Sequence, residues 1–299
     1  MNAVIRNAMT VDVEDYYQVQ AFAHHVDRQK WVGFMPRVEA NVDRILEQFA
    51  AAGATATFFT LGWIAERHPG MVRRIVAAGH ELASHGYEHT RADMQEPAAF
   101  RNDVGRTRRL LEDIGGVPVL GYRAATFSIG ARNQWAFSVL EEEGYTYSSS
   151  VNPIRHDLYG MPDAPRVPYR PLGGALWEIP MTTVRARGRN WPCSGGGYFR
   201  LLPYAVFRRG LTTVNRHEKR PGIFYFHPWE IDAAQPRIEG VGWKSRFRHY
   251  TNLARMAGKL DLLLHDFAWD RMDRVYADLL VPGAHANLSP DRAVVPLPA

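Results

Sequence analysis

The sequence is nearly free of cysteine and has no long hydrophobic run. Cys193 is the only cysteine in 299 residues, so an intramolecular disulfide framework and a cysteine-rich zinc module are excluded. No apolar run approaches the roughly 18 residues that span a bilayer. The first residues, MNAVIRNAMT, lack the apolar core of a secretory signal peptide. We therefore expect a cytoplasmic protein that is at most peripheral to a membrane.

The chain also has little net charge for its length. Its 36 Lys and Arg residues and 31 Asp and Glu residues give a formal charge of +5, and the basic residues are spread along the sequence. A nucleic-acid partner would call for a basic stripe on one recognisable element, so none is expected. The 12 histidines leave a metal site of histidine and carboxylate ligands fully open.

Apolar runs and helical periodicity alternate along the chain, which is typical of βαβ units with a parallel sheet. Seven strands are predicted, at Ala8–Val13, Thr55–Leu61, Glu81–Ser84, Gly121–Arg123, Tyr145–Ser148, Trp177–Pro180 and Ile223–His227. The main helices are predicted at Val38–Phe49, Ile64–Ala78, Ala98–Ile114, Asn133–Glu143 and Leu202–His217. Seven strands suit an incomplete barrel better than a three-layer sheet, although periodicity alone does not separate the two.

The pattern changes after Glu230. Residues 233–245 are irregular, and helical periodicity returns over Tyr250–Leu264 and Arg271–Leu280. The stretches 151–176 and 192–198 are rich in Pro or Gly and are predicted to be loops. The predicted organisation is a catalytic domain over residues 1–230, a mainly helical C-terminal extension over 231–281, and a tail over 282–299.

Ionisable residues stand at the ends of several predicted strands. Active sites of parallel α/β proteins form at the carboxyl ends of the strands, so we expect these side chains to meet at one face of the sheet. They are Asp12, Glu14, Asp15, His85, His89, Arg123, Glu178 and His227.

Two histidines four residues apart predict a metal site. On a helical turn His85 and His89 would face the same way, a spacing that suits two ligands of one divalent ion. A carboxylate would complete the set and leave positions open for water, as catalytic sites require. Asp12 and Glu14 share one face of a strand and can both point at the ion, and Asp15 can reach it if the chain bends.

Taken together, the chain resembles the polysaccharide deacetylases of carbohydrate esterase family 4, the NodB-homology enzymes. The resemblance rests on the motifs TVDVEDYY, SHGYEH, GYRAATFSI, WEIP and FYFHPWE, in this order, and covers roughly residues 8–230. The motif DVEDYYQV and the extension are similar to the subgroup linked to exopolysaccharide and exosortase loci. The resemblance implies a distorted (β/α)₇ barrel and metal-dependent N-deacetylation of an amino-sugar-containing bacterial polysaccharide. It implies Zn²⁺ as the ion, with Co²⁺, Ni²⁺ and Mn²⁺ as alternatives.

The resemblance also implies roles for individual residues. His85 and His89 match the two metal-binding histidines of the family. Asp12 matches the general base, Arg123 the arginine that orients that base, and His227 the general acid that protonates the leaving amine.

The motif DVED departs from the two adjacent aspartates that most members have. Either Glu14 binds the metal and Asp12 is the base, or Asp15 binds the metal and Glu14 is the base. The first alternative is favoured by the geometry of a strand. The carboxylate that often steadies the acid histidine has no certain match, and Glu178 in the motif WEIP is a candidate.

Aromatic side chains near the strand ends are candidates for stacking on sugar rings. They are Tyr16, Phe127, Trp177, Tyr198 and Trp229. Residues 195–197, all glycine, allow either a close approach of the glycan or a flexible loop. The expected partner is a polysaccharide, with peripheral association to membrane polysaccharide-synthesis machinery also open. Two other functions remain possible: a small cyclic-amide hydrolase like the allantoinases, and a catalytically silent glycan-binding protein.

Overall fold

The computed structural model describes residues 4–280, and one parallel sheet forms its centre. The strands of this sheet are β1 (Arg6–Val13), β2 (Thr57–Thr60), β3 (Glu81–Ser84), β4 (Gly121–Tyr122), β5 (Tyr147–Ser148), β6 (Trp177–Glu178), β9 (Ile223–Phe226) and β10 (Ala268–Asp270). A separate antiparallel hairpin consists of β7 (Thr183–Ala186) and β8 (Arg189–Pro192).

Helices surround this sheet and connect its strands. The first five are α1 (Val38–Ala52), α2 (Gly62–Arg67), α3 (Pro69–Ala77), α4 (Pro97–Gly115) and α5 (Trp135–Glu142). The others are α6 (Gly196–Leu201), α7 (Tyr204–Arg216), α8 (Trp243–Tyr250), α9 (Leu253–Asp266), α10 (Met272–Val275) and α11 (Ala277–Leu280). None of the helices in residues 4–280 combines the length and the apolar composition that crossing a bilayer requires.

Strand β1 lies inside the sheet because it pairs along both of its edges. It is parallel to β9 on one side and to β2 on the other. From β2 the order continues through β3, β4 and β5 to β6, and every ladder is parallel. No ladder joins β6 to β9 in the described part of the chain, so the barrel is incomplete. All seven predicted strands are present, and the predicted fold class is confirmed.

The sheet is covered by helices, which explains why nearly all residues of its strands are buried. Strands β2 and β9 read TFFT and IFYF, and every residue of both is buried. Helix α1 buries Val42, Ile45 and Phe49, which recur at helical spacing. Gly53 ends this helix with a φ of 62°, the left-handed conformation that glycine adopts without strain.

The predicted helices over 64–78 and 250–264 differ from the structure, each for a clear local cause. The prediction over 64–78 is interrupted at His68, because Pro69 disfavours helical backbone in the residue before it. The prediction over 250–264 is wrong at its start: α8 ends at Tyr250, and Asn252, with a φ of 57°, precedes α9. The prediction over 202–217 corresponds to α7, whereas the start of α6 and the last residue of β8 lie in the predicted loop 192–198.

The region after Glu230 is part of the barrel and also supplies a strand that the sequence pattern did not reveal. Strand β10 pairs in parallel with the start of β1, from Arg6 opposite Ala268 to Ala8 opposite Asp270. Next to it, the buried Met272 donates its backbone N–H to Thr57 Oγ1 at 2.8 Å. The predicted boundary at residue 230 stays a prediction, and the predicted tail over 282–299 lies outside the described residues.

We predict that Met272→Ala lowers the free energy of unfolding by about 2–5 kcal/mol, because the side chain is fully buried and its removal leaves a cavity. Met94→Ala is the matched control, since Met94 is 75% exposed, and its effect should stay within about 0.5 kcal/mol. Urea denaturation of both variants measures the difference. Equal stability of the Met272 variant and the wild type would show that the extension does not contribute to the core.

Candidate active site

The ends of three parallel strands deliver ionisable side chains to one pocket of about 140 Å³. Asp12 and Glu14 come from the end of β1, and His85 and His89 follow β3. His227 directly follows β9. The sequence-based expectation that these side chains meet at one face of the sheet therefore agrees with where they lie.

A buried ion pair fixes the carboxylate of Asp12. Arg123 Nη1 donates to Asp12 Oδ1 at 2.6 Å and to Thr10 Oγ1 at 2.8 Å, and its side chain has no exposed surface. Its Nε donates to the carbonyl of Ser149 at 3.1 Å, and the guanidinium lies 4.0 Å from the centre of the Phe59 ring. A planar guanidinium held at several of its donors leaves the Asp12 carboxylate little freedom to rotate.

The two neighbouring histidines lie on a loop rather than on the helical turn that their spacing suggested. Gly86 and His89 both have left-handed backbone, with φ of 75° and 53°, and the rings of His85 and His89 are centred 5.4 Å apart. The Nδ1 atom of His85 bonds the carbonyl of Arg123 at 2.8 Å, so its Nε2 is left to face the pocket. Burial lowers the pKa of both rings, that of His89 to about 4, and neutral imidazole is the form that binds metal ions.

Glu14 connects the two halves of the pocket. Its Oε2 lies 3.3 Å from His89 Nε2, and its Oε1 lies 3.0 Å from His227 Nε2. Burial by itself would raise the pKa of Glu14, but interactions with His89, His227 and His85, which are all protonated in the acidic range where Glu14 titrates, outweigh it and lower the pKa to about 2. The carboxylate is therefore ionised, and it lies where a cation would find a ligand.

His227 is held between two carboxylates. Its Nδ1 bonds Glu230 Oε1 at 2.7 Å, and its Nε2 faces Glu14. Burial would lower the pKa of His227, but Glu14 and Glu230 together raise it to about 10. The doubly protonated ring is thus the favoured form, as a proton donor requires.

Glu230, rather than Glu178, is the carboxylate beside His227, so the prediction for Glu178 is wrong. Both Ser150 and Val151 donate backbone N–H groups to Glu178 Oε1, at 2.9 and 2.8 Å. The motif HPWE contained a signal for Glu230. A glutamate three residues after the N-cap is typical of a capping box, and proline is common at the first helical position between them; here His227 is the N-cap and Glu230 the third helical residue.

Asp15 caps a helix and does not face the imidazoles. Its Oδ2 accepts the backbone N–H groups of Arg37 and Val38, at 2.7 and 3.0 Å, where α1 begins. Its Oδ1 accepts the N–H of Tyr16 at 2.8 Å. Both oxygens are thus engaged with the backbone, so the structure gives no support to Asp15 as a metal ligand.

The aromatic predictions divide into two groups. Phe127 and Trp229 line the pocket, whereas Tyr16, Trp177 and Tyr198 do not. Tyr16 is buried against Phe34, with the rings 6.3 Å apart, and Trp177 packs against the guanidinium of Arg170 at 4.9 Å. Tyr198 lies on α6.

Two further tyrosines in the pocket were not predicted. Tyr225 lies two residues before His227, and alternation along β9 places both side chains on one face, a signal that the sequence did contain. Tyr159 reaches the pocket from the long loop over 151–176, where no periodic pattern exists to predict its direction.

Three non-glycine residues of the pocket have left-handed backbone. The φ angles are 53° at His89, 56° at Thr126 and 50° at Phe127. Each such residue costs on the order of 1–3 kcal/mol and persists only where the surrounding structure imposes it. Such strain concentrates at functional sites, which supports the identification of this pocket as the site.

The donor set suits a divalent cation, although within residues 4–280 no three His, Cys, Asp or Glu side chains already form a complete cation site. His85 and His89 supply two neutral imidazoles. Glu14 Oε2 is buried and has no hydrogen-bond partner among the described residues, so it is an unused ligand atom. The carbonyl of Arg123 orients His85 as the outer contacts of metal-binding histidines commonly do.

Two family models match adjoining parts of the chain. Residues 31–148 match the family described as polysaccharide deacetylase, and residues 149–277 match a domain of unknown function, DUF3473. A peptidoglycan-N-acetylglucosamine deacetylase of Bacillus cereus is 33% identical over 73 residues, which is 24% of this chain and 26% of that protein. A peptidoglycan deacetylase of Helicobacter pylori is 27% identical over 118 residues, 38% of each chain. The chain thus spans well under half the length of these relatives.

Two solved structures share the fold over nearly the whole chain. One is a protein of Mycobacterium smegmatis provisionally assigned as a polysaccharide deacetylase, with a TM-score of 0.59, 21% identity, and coverage of 94% of this chain and 93% of that one. The other is the PuuE allantoinase, with a TM-score of 0.58, 18% identity, and coverage of 94% and 92%. At these identities both likenesses concern the fold alone. On the two family matches, residues 31–148 belong to the polysaccharide deacetylase family and residues 149–277 to the DUF3473 family.

Proposed function

We propose that this protein is a metal-dependent hydrolase that removes acetyl groups from the amino sugars of a bacterial polysaccharide. The observation that carries the proposal is a single pocket that contains a fixed carboxylate, two neutral imidazoles and a charged imidazole. Relatives named as deacetylases of peptidoglycan and of chitooligosaccharides support an amino-sugar substrate. The resemblance of the motif DVEDYYQV and of the C-terminal extension to the exopolysaccharide-linked subgroup supports an exopolysaccharide as the polymer.

In this proposal Glu14, His85 and His89 hold the ion, with Zn²⁺ as the first candidate and Co²⁺, Ni²⁺ or Mn²⁺ as alternatives. A bound divalent ion supplies a Lewis acid that polarises the acetamide carbonyl and makes water more acidic. Glu14 contacts His227 through Oε1 and keeps Oε2 for the ion, and the positive charge of a bound ion would weaken the attraction of the carboxylate for His227. A loaded site therefore leaves His227 Nε2 available to the substrate.

Asp12 and His227 carry the proton transfers. Asp12, held by Arg123, accepts a proton from the water that attacks the acetamide carbon. His227 donates its Nε2 proton to the sugar nitrogen as the carbon–nitrogen bond breaks, because a free amide anion is a very poor leaving group. Acetate and the amino sugar are the products. Glu230 stabilises the charged ring before that transfer.

The allantoinase-like alternative rests on a similar fold and on no feature of this pocket. The silent glycan-binding alternative would leave the pairing of His227 with Glu230 and of Arg123 with Asp12 without a purpose. These two buried pairs favour a working hydrolase, since buried charges are retained at a cost in free energy.

We predict that His85→Ala loses the bound metal and all turnover, because it removes one of three ligands. His227→Ala should keep the metal and lower kcat by about 10²–10⁴-fold, the usual contribution of a general acid. His265→Ala is the control, since this histidine is exposed on α9. Metal content is measured by mass spectrometry and acetate release on chitooligosaccharides and acetylated exopolysaccharide.

Three results would contradict this account. The first is a His85 variant that still binds zinc in a 1:1 ratio and releases acetate. The second is a wild type that opens a cyclic amide instead of releasing acetate. The third is a wild type that binds a glycan tightly without any product and regardless of a chelator.

A second prediction separates the roles of the three acidic residues. Glu14→Gln should lose the metal, because a neutral amide is a poor ligand for a hard cation. Asp12→Asn should keep the metal and lose turnover, since it removes the base. Asp15→Asn should keep both metal and turnover and change only stability, because Asp15 caps α1. Metal loss in the Asp15 variant, with retention in the Glu14 variant, would reverse the assignment.

We also propose that the outer face of α8 binds the surface of an anionic membrane. Trp243 and Phe247 lie four residues apart on this helix and are 80% and 54% exposed. Lys244 and Arg246 are exposed beside them, and a basic helix with protruding aromatic side chains suits anionic lipid head groups. Lys244 also bonds Asp157 at 3.0 Å, on the loop that carries Tyr159 to the pocket, so this face borders the site.

We predict that the wild type sediments with vesicles of phosphatidylglycerol and not with vesicles of phosphatidylcholine. The double variant Trp243→Ser, Phe247→Ser should lose this binding, because it removes the apolar contact with the bilayer interface. Met35→Ser is the matched control, since Met35 is 72% exposed elsewhere. Wild-type binding to neither vesicle, or full binding by the double variant, would refute this membrane contact.

A further inference from the structure

A buried arginine joins His227 to the C-terminal part of the chain. Arg200 lies on α6, and only 2% of its side chain is exposed. Its Nε donates to Glu230 Oε2 at 2.7 Å, while Oε1 of the same carboxylate bonds His227 Nδ1 at 2.7 Å. One carboxylate therefore connects the guanidinium to the imidazole, with one oxygen for each.

The other nitrogens of Arg200 bind the end of α8. Nη1 donates to the carbonyls of His249 and Thr251, at 2.9 and 2.6 Å, and Nη2 donates to the carbonyl of Arg248 at 3.0 Å. Asn252 Nδ2 donates in return to the carbonyl of Arg200 at 2.9 Å. The last carbonyls of a helix lack partners within the helix, so Arg200 satisfies them while they fix the direction of its guanidinium.

The same end of α8 supports His227 through stacked rings. The ring of Trp229 lies 5.2 Å from the ring of His227 and 4.0 Å from the ring of His249, nearly parallel to both at 17° and 14°. Gln235 Nε2 donates to the carbonyl of Trp229 at 2.7 Å, and Gln235 Oε1 lies 2.6 Å from His249 Nε2. The stack therefore supports the plane of the His227 ring from the side that faces α8.

Helix α6 approaches the carboxylate too closely for any residue but glycine. A Cβ added at Gly196 would overlap the carboxylate of Glu230, and one added at Gly195 would lie 2.7 Å from the ring of Tyr225. The glycine-rich stretch thus brings α6 against the site, which neither sequence-based interpretation of these glycines had anticipated.

We propose that the DUF3473 region supplies the proton-donor half of the active site and that Arg200 is its positioning residue. The inference rests on the proposed hydrolase function. His227, Glu230, Arg200 and the end of α8 all lie within residues 149–277, whereas His85 and Arg123 lie within the preceding match. The carbonyls of α8 fix Arg200, Arg200 orients Glu230, and Glu230 orients His227 for proton donation.

Arg200→Met should lower kcat for acetate release by about 10-fold or more, with KM and bound metal unchanged, because Glu230 loses the partner that aims it at His227. Arg200→Lys should recover only part of the rate, since an ammonium group does not reproduce the planar fork. Arg166→Met is the matched control: Arg166 also binds a carboxylate, that of Glu218, but the other partner of that carboxylate is Arg220 and not His227. Arg200→Lys replaces Arg200→Met in these comparisons if the latter does not fold.

Nuclear magnetic resonance of protein labelled with ¹⁵N-histidine tests the contact without any turnover. In the wild type, the Nδ1 proton of His227, identified by the loss of its signal in His227→Ala, should resonate downfield. This signal should shift or vanish in Arg200→Met and stay unchanged in Arg166→Met. An unchanged signal in Arg200→Met would overturn the proposal. A double-variant test gives a second way to overturn it. If Arg200 acts through His227, Arg200→Met should lower kcat much less in the His227→Ala background than in the wild type, because the effects of coupled residues are not additive. The same loss of kcat in both backgrounds would contradict the proposal. A wild type without acetate release, but with the expected shift, would refute the hydrolase function and retain the positioning role.

Discussion

The carboxylate of Glu14 lies between two imidazoles that reach it from opposite sides of β1. His89 comes from the loop after β3, and His227 comes from the end of β9. This contact is possible only because β1 pairs along both edges, so that its end faces the ends of strands on either side. The proposed metal-binding half and the proposed proton-donor half of the pocket meet at one buried carboxylate, and a cation bound there would change the charge that His227 experiences.

The boundary between the two family matches passes through the barrel and through the site. The match over 31–148 contains His85, His89 and Arg123, and the match over 149–277 contains His227 and Glu230. Asp12 and Glu14 precede both matches. Neither matched region alone contains a complete pocket, and β10 returns from the end of the second region to pair with β1. The two regions therefore form one folded unit, and a function assigned to either of them has to be assigned to their combination.

Much of this arrangement could be predicted from the sequence, because buried parallel strands are apolar runs that end at polar residues. Glu81–Ser84 was predicted at its observed bounds, and Asp12, Glu14, His85, His89 and His227 share the pocket as expected. Side-chain direction after a strand ends could not be predicted. Asp15 turns to the N–H groups of α1, and Glu178 turns to the backbone after β5, through contacts that depend on tertiary structure. Strand β10 is only three residues long and pairs with a segment more than 260 positions away, so no local pattern indicates it.

The central claim is that Glu14, His85 and His89 bind one cation beside a protonated His227. Anomalous diffraction at the zinc edge, on crystals grown with zinc chloride, tests it most directly. The account predicts one strong peak within coordination distance of the Nε2 atoms of both histidines and of the Glu14 carboxylate, with His227 still bonded to Glu230. A pocket without anomalous signal at saturating zinc, or a peak that contacts Asp15 instead of Glu14, would contradict it.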